Sequence, residues 1–282
     1  MMKKLAILFS IFCASTVNAQ LLESFVHKGE FGGSIGLGHY FGDINNSASI
    51  SKPKFSAGVF YRKQFNNYVG LKIAGNYSFL GYSDKESSNS VQRLRNLSFN
   101  TDVWELSISG DFNFFKFYPG FKEYRYTPYV SLGIGVINYD PYAYLAGEKY
   151  FLRPLGTEGQ GSAAYPNLKP YSAVAVVLPL GFGIKYNINH KYNAFAEICY
   201  RFTTTDYLDD VSGLYAGTDA FPLDPNTGFP TAAFYLQDRS YEFGNSIGIK
   251  GRQRGNSKQK DAFATFQVGI SINIQSYRCP TY

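Results

Sequence analysis

The sequence lacks any hydrophobic run long enough for a membrane helix, which needs ~18 to 20 consecutive apolar residues. Its longest apolar stretch, Ala173 to Leu180, is strand-sized and contains Pro179. A helical membrane protein is therefore excluded. Charge of one sign is also scarce: the net charge is +6, two of it from Lys3 and Lys4. That modest excess does not suggest nucleic acid as a partner. Cysteine (3) and methionine (2) are rare. Catalytic motifs are missing too. Of three histidines, only His39, with Asp43 four residues on, offers a base and a carboxylate of the kind used in acyl transfer. No serine or cysteine is tied to them by spacing, so a solvated histidine at a rim is expected, and no enzyme. Glycine-rich "GSIGLG" has no helix after it, so a phosphate-binding reading fails.

What is abundant is glycine (28), tyrosine (24) and phenylalanine (25), a composition that favours β-structure. The start, MMKKLAILFSIFCASTVNAQ, has a basic n-region, about ten apolar residues and a small-residue site at Val17-Asn18-Ala19. It reads as a secretory signal over residues 1–19, which would carry Cys13 away. Residues 20–274 are expected to form one domain and 275–282 a C-terminal tail.

From Glu30 onward the chain alternates. Between Asp261 and Ile274 the even positions are apolar, from Ala262 to Ile274, and the odd ones polar, small or aromatic. The same pattern gives eight strands near 29–41, 54–66, 68–82, 101–115, 127–139, 172–187, 192–204 and 261–274. Connections near Asn66-Asn67 and Ile188 to Lys191 are short and the one holding Pro119-Gly120 is of medium length; the other four are longer, the last exceeding fifty residues. The expected fold is all-β: an eight-stranded antiparallel transmembrane up-and-down barrel with long extracellular loops, short periplasmic turns and both termini periplasmic. Aromatic clusters at strand ends (Tyr40 and Phe41, Phe112 to Phe117, Tyr200 and Phe202) are read as interface girdles.

Alternation also assigns the lumen. Glu30, Arg62, Lys72, Glu105, Asp111, Lys185, Glu197 and Arg201 point inward, four acids against four bases. Eight strands leave an interior only wide enough for side chains, so an ion-paired plug is expected rather than a pore. Two further clusters stay open at this stage. Asp206, Asp209 and Asp210 in "TDYLDDVSG" are either calcium ligands or loop anchors. The basic run "KGRQRGNSKQK" meets either lipopolysaccharide phosphates or the acidic start of its own loop.

Four stretches, "EFGGSIGLGHYFGDI", "EICYRFTTTDYLDDVSGLY", "KGRQRGNSKQKDAF" and "YRCP", together resemble the PorG-like family of outer-membrane barrels from Bacteroidota, part of the type IX secretion system. The second and third, in that order, carry most of the resemblance. It implies a non-enzymatic component of protein secretion and gliding motility, without cofactor or metal. Such a barrel docks a periplasmic ring lipoprotein and its partner subunit near the translocon, in contact with outer-membrane lipid and lipopolysaccharide. A stand-alone surface-binding or adhesin-like barrel is the alternative. In the tail, Cys279 is too far from Cys199 for an easy internal bridge and stands as an odd thiol, paired between molecules or free. The expectation is a disulfide from Cys279 to a periplasmic partner, with Tyr277, Arg278 and Pro280 as docking contacts.

Overall fold

The computed structural model describes residues 27–46, 49–244 and 246–275. The signal segment 1–19 and the tail residues Tyr277, Arg278, Cys279 and Pro280 lie outside the described residues. Among the described residues there are ten strands: β1 (His27–Phe41), β2 (Lys54–Gln64), β3 (Val69–Ser83), β4 (Ser98–Asn113), β5 (Tyr126–Asn138), β6 (Tyr142–Leu145), β7 (Glu148–Phe151), β8 (Val174–Asn187), β9 (Tyr192–Thr203) and β10 (Ala262–Gln275). Eight of them run in the order β3-β2-β1-β10-β9-β8-β5-β4, and β3 pairs back onto β4, closing the barrel. Every pairing is antiparallel. These eight lie where alternation puts them. Among the described residues no helix is long and apolar enough to cross a membrane.

Period-2 geometry turns the alternation into two surfaces. Phe31, Ile35 and Leu37 on β1, Leu106 and Ile108 on β4, Phe182 and Ile184 on β8, and Phe266, Val268, Ile270 and Ile272 on β10 are all exposed. This continuous apolar wall around a closed barrel is the surface of a membrane-spanning barrel. The opposite parity faces inward; it is polar in the middle of the barrel and apolar toward the long-loop end.

The two shortest turns use one device. Asn66 Oδ1 accepts from the amides of Tyr68 and Val69, both at 2.8 Å. Asn189 Oδ1 accepts from Lys191 and Tyr192, both at 2.9 Å. Asparagine suits this role because its short amide mimics a backbone turn. His27 of β1 faces Gln275 of β10, so both ends of the described barrel lie beside these turns.

The long connections, 42–53, 84–97, 139–173 and 204–261, gather at the other end. They carry three short helices, α1 (Ser90–Arg95), α2 (Leu152–Leu155) and α3 (Ala232–Gln237). β6 and β7 form a hairpin within 139–173, absent from the eight-strand reading. Its two turn residues, Ala146 (φ 52°) and Gly147 (φ 90°), sit in the left-handed region that a tight two-residue hairpin requires. The main buried apolar cluster is also at this end. It joins strand residues such as Leu80, Phe99, Val103 and Phe263 to loop residues Ile44, Leu152, Leu208, Val211 and Leu236. The long loops are thus packed down as a cap.

Candidate functional site

All eight lumen residues named from the sequence are buried, and the barrel brings them together in three groups. Arg62 lies between Glu30 and Asp111, with its Nε 2.5 Å from Asp111 Oδ2. Lys185 Nζ is 3.6 Å from the same Asp111 oxygen and 3.1 Å from Asn113. Lys72 bonds Glu197 at 2.8 Å, and the Tyr129 hydroxyl donates to the same Glu197 oxygen at 2.7 Å. Arg201 pairs with Glu105 and donates to Thr265 at 2.7 Å. Glycine makes room for these side chains: a Cβ at Gly183 would come within 2.6 Å of the Tyr129 ring. The mid-barrel retains a cavity of about 20 Å³, space for roughly one water.

The cap is built differently. Arg95, at the end of α1, grips Asp84 through Nε and Nη2, each at 2.7 Å. Its remaining donors reach the carbonyls of Arg254 (2.6 Å) and Asp43 (3.0 Å). One guanidinium therefore ties three loops, using the planar fork that suits arginine to such a position. Arg254 does the same for the last two loops. It bonds Glu158 at 3.1 Å, the Asp210 carbonyl at 2.5 Å and the Gln237 carbonyl at 3.2 Å. Glu158 in turn accepts from the amides of Ser212 (2.9 Å) and Gly213 (3.0 Å). Within the basic run, then, Arg254 turns inward, to Glu158 of the preceding loop and to Asp210 of its own, 3.6 Å from Oδ2, while Lys250, Arg252, Lys258 and Lys260 stay exposed.

The three aspartates of "TDYLDDVSG" diverge. Asp206 accepts from the Ser212 hydroxyl at 2.6 Å. Asp209 accepts from the Tyr40 hydroxyl at 2.5 Å and the Val211 amide at 2.9 Å. Asp210, at φ 68°, accepts from Thr157 and, at 2.7 Å, from Tyr171. No group of three metal-ligating side chains occurs among the described residues. They are loop anchors.

Tyr40 also reaches Asp261 at 2.9 Å. One phenol carries one hydrogen, so both contacts are hydrogen bonds only when one carboxyl holds a proton. Burial pushes Asp209 well above the usual carboxylate range, and the charge of Asp43 adds to it. Asp261 rises likewise, by burial and then by the charge of Asp209. Burial also lifts Asp206 and Asp210 to about 6.

Two sequence expectations are corrected here. Tyr40 is no girdle residue: it is 1% exposed and anchors the cap, because even positions of β1 face inward. Phe117 is buried too, whereas Phe112, Phe114, Phe115 and Phe202 are exposed as a girdle requires. His39 is not a solvated rim histidine. It is 7% exposed, with its Nε2 2.7 Å from the Ser49 carbonyl and 3.1 Å from Asn45 Nδ2. Asp43 instead receives the Asn256 amide at 2.8 Å, so no His–carboxylate pair forms.

Three sequence stretches thus converge on one cluster: Tyr40 and Asp43, then Asp209 and Asp210, then Arg254 and Asp261. The first two stretches fall within residues 2–215, which match the family described as Domain of unknown function (DUF6089). The chain belongs to that family. Among curated proteins the sequence has no significant match. This DUF6089 chain also aligns with solved outer-membrane proteins. Neisserial surface protein A is 9% identical over 87% of this chain and 97% of its own, with a TM-score of 0.42. Ail of Yersinia pestis is 10% identical over 89% and 100%, at 0.40. OprG of Pseudomonas aeruginosa is 7% identical over 89% and 99%, at 0.38. The fold assignment rests on the strand pairing, not on these distant likenesses.

Proposed function

We propose that this DUF6089 chain is a non-enzymatic outer-membrane barrel that works by docking other proteins, as a component of type IX secretion and gliding. One observation carries the docking reading: the lumen is filled by ion pairs and the long-loop mouth is covered by packed loops, so function falls to the surfaces. The finer assignment is supported by the resemblance of the four quoted stretches to PorG-like barrels. On this reading the short-turn end is periplasmic and meets a ring lipoprotein and its partner subunit near the translocon, with Cys279 forming the disulfide.

Crosslinking in intact, thiol-blocked cells followed by non-reducing pulldown tests it. A periplasmic lipoprotein should be recovered, and Cys279→Ser should remove a reducible higher-mass band. Recovery of no partner, with secretion unchanged when the chain is deleted, overturns the secretion reading.

A surface-binding barrel is the second reading. Apolar side chains left exposed on the cap favour it, notably Phe229 (71%) and Ile249 (66%). Phe229→Ser with Ile249→Ser should then abolish attachment to a surface ligand while cargo secretion continues. Unchanged lipid A in a His39→Ala strain is expected under both readings.

A further inference from the structure

The short-turn end carries a cleft of about 770 Å³ on the outside of the barrel, between the β2–β3 turn, the β4–β5 link and the adjoining ends of β5 and β8. Tyr126 and Tyr186 form one wall. They are register partners on β5 and β8, and both are exposed. Tyr186 has the parity of Phe182 and Ile184, so this wall continues the apolar band of the barrel. The other side is basic: Lys116, Lys122 and Arg125 line the cleft against a single acid, Glu123. The Arg125 Nε atom is buried and has no hydrogen-bond partner among the described residues.

The cleft is pre-formed. The Gly120 amide donates to Asn187 Oδ1 at 3.0 Å and the Asn187 amide to the Arg125 carbonyl at 2.7 Å, pinning the link to the end of β8. An unmade guanidinium donor costs free energy unless a partner supplies an acceptor. A planar guanidinium matches a phosphate in two parallel bonds. Aromatic rings at an interface sit at headgroup level.

We propose that this cleft binds an anionic phospholipid. Its phosphate would sit on Arg125 and Lys122, and its glycerol and chains would run along Tyr126 and Tyr186 into the band. Continuity of the wall with the lipid-facing surface selects a lipid over a free anion. The inference rests on the membrane-spanning barrel itself and not on the secretion reading, so failure of either leaves the other standing.

Native mass spectrometry of the purified full chain tests it, with phosphatidylglycerol and phosphatidylethanolamine added in turn. Phosphatidylglycerol should be retained one to one. Arg125→Gln with Lys122→Gln should lower its occupancy on the order of tenfold, the scale of one lost charge-assisted bond. Lys258→Gln, at the opposite end, should change nothing. Equal retention of both lipids, or retention unaffected by the double variant, overturns the proposal, as does displacement by millimolar inorganic phosphate. The double variant alters the link itself, so Tyr126→Trp provides a second reading: brominated phosphatidylglycerol should quench its fluorescence more than brominated phosphatidylethanolamine. Equal quenching counts against the site.

Discussion

The lumen and the cap are both buried and both crowded with charge, yet they solve the problem in opposite ways. The lumen sets Glu30, Glu105, Asp111 and Glu197 against Arg62, Lys72, Lys185 and Arg201, a balanced count. Among the described residues the cap buries eight carboxyls, Asp43, Asp84, Glu158, Asp206, Asp209, Asp210, Asp238 and Asp261, with only Arg95 and Arg254 as buried arginines. Most cap acids are therefore satisfied by amides and hydroxyls. Asp238, for example, takes the Ser240 hydroxyl at 2.6 Å and the Gly248 amide at 2.7 Å. Opposite charges hold strands that the barrel already aligns. Acids that collect backbone amides fold loops that have no sheet to align them.

The largest effect that distinguishes the two regions should come from the lumen. Arg62→Met removes the cation between Glu30 and Asp111 in an interior with almost no water. Breaking a buried pair from one side costs about 3–5 kcal/mol. Urea unfolding followed by heat-modifiable gel mobility should show the whole barrel destabilised. An unchanged midpoint would mean that charge balance is not what fills the lumen.

Next comes the cap. Arg254→Met severs Glu158 and the carbonyls of Asp210 and Gln237 while leaving every barrel ladder intact. Limited proteolysis should cut within 204–261, with the barrel's urea midpoint shifted less than in Arg62→Met. If the barrel falls apart as readily, the cap is part of the barrel's core and the comparison collapses.

A smaller and graded effect is expected from pH. The Asp209 and Asp261 carboxyls are pushed up by burial, and Asp206 and Asp210 rise to about 6. The folded cap therefore prefers the protonated acids. Their contribution to stability is full below the ordinary carboxylate value of about 4 and is lost as pH climbs through the raised values. Hydrogen exchange in 205–215, corrected for its intrinsic pH dependence, should quicken from pH 5 to pH 8. Asp209→Asn, which needs no shared proton, should flatten that trend. A slope of the opposite sign would show that Arg95 and Arg254 dominate the cap's electrostatics.

How much of this was legible follows from the same contrast. Alternation is a local signal, and it yields the eight strands and, by parity, all eight lumen charges. Parity also contained Tyr40, which shares its face with Glu30 and Gly32; the aromatic-girdle rule overrode it. The cap has no such period. Asp43, Asp84, Arg95, Glu158 and Arg254 come from four separate connections, and only the closed barrel makes those connections neighbours. β6 and β7 are four residues each, too short for alternation to stand out from chance.

The smallest effect is expected from calcium, and it bears on what the cap's acid excess is for. Three aspartates within five residues suggest a cation site in sequence. In the fold, Asp206, Asp209 and Asp210 turn to Ser212, to Tyr40 and to Tyr171, three directions from one segment. A hard divalent ion needs six to eight oxygens converging on one point; here each carboxyl is already committed to a donor. Gathering them would break the Tyr40 tether and the hold on Tyr171 together. Millimolar calcium or EDTA should therefore leave the exchange rates of 205–215 unchanged at fixed pH and ionic strength. Protection that rises with calcium and is lost in Asp206→Asn would show that the cap rearranges around an ion, and that its acids are ligands before they are anchors.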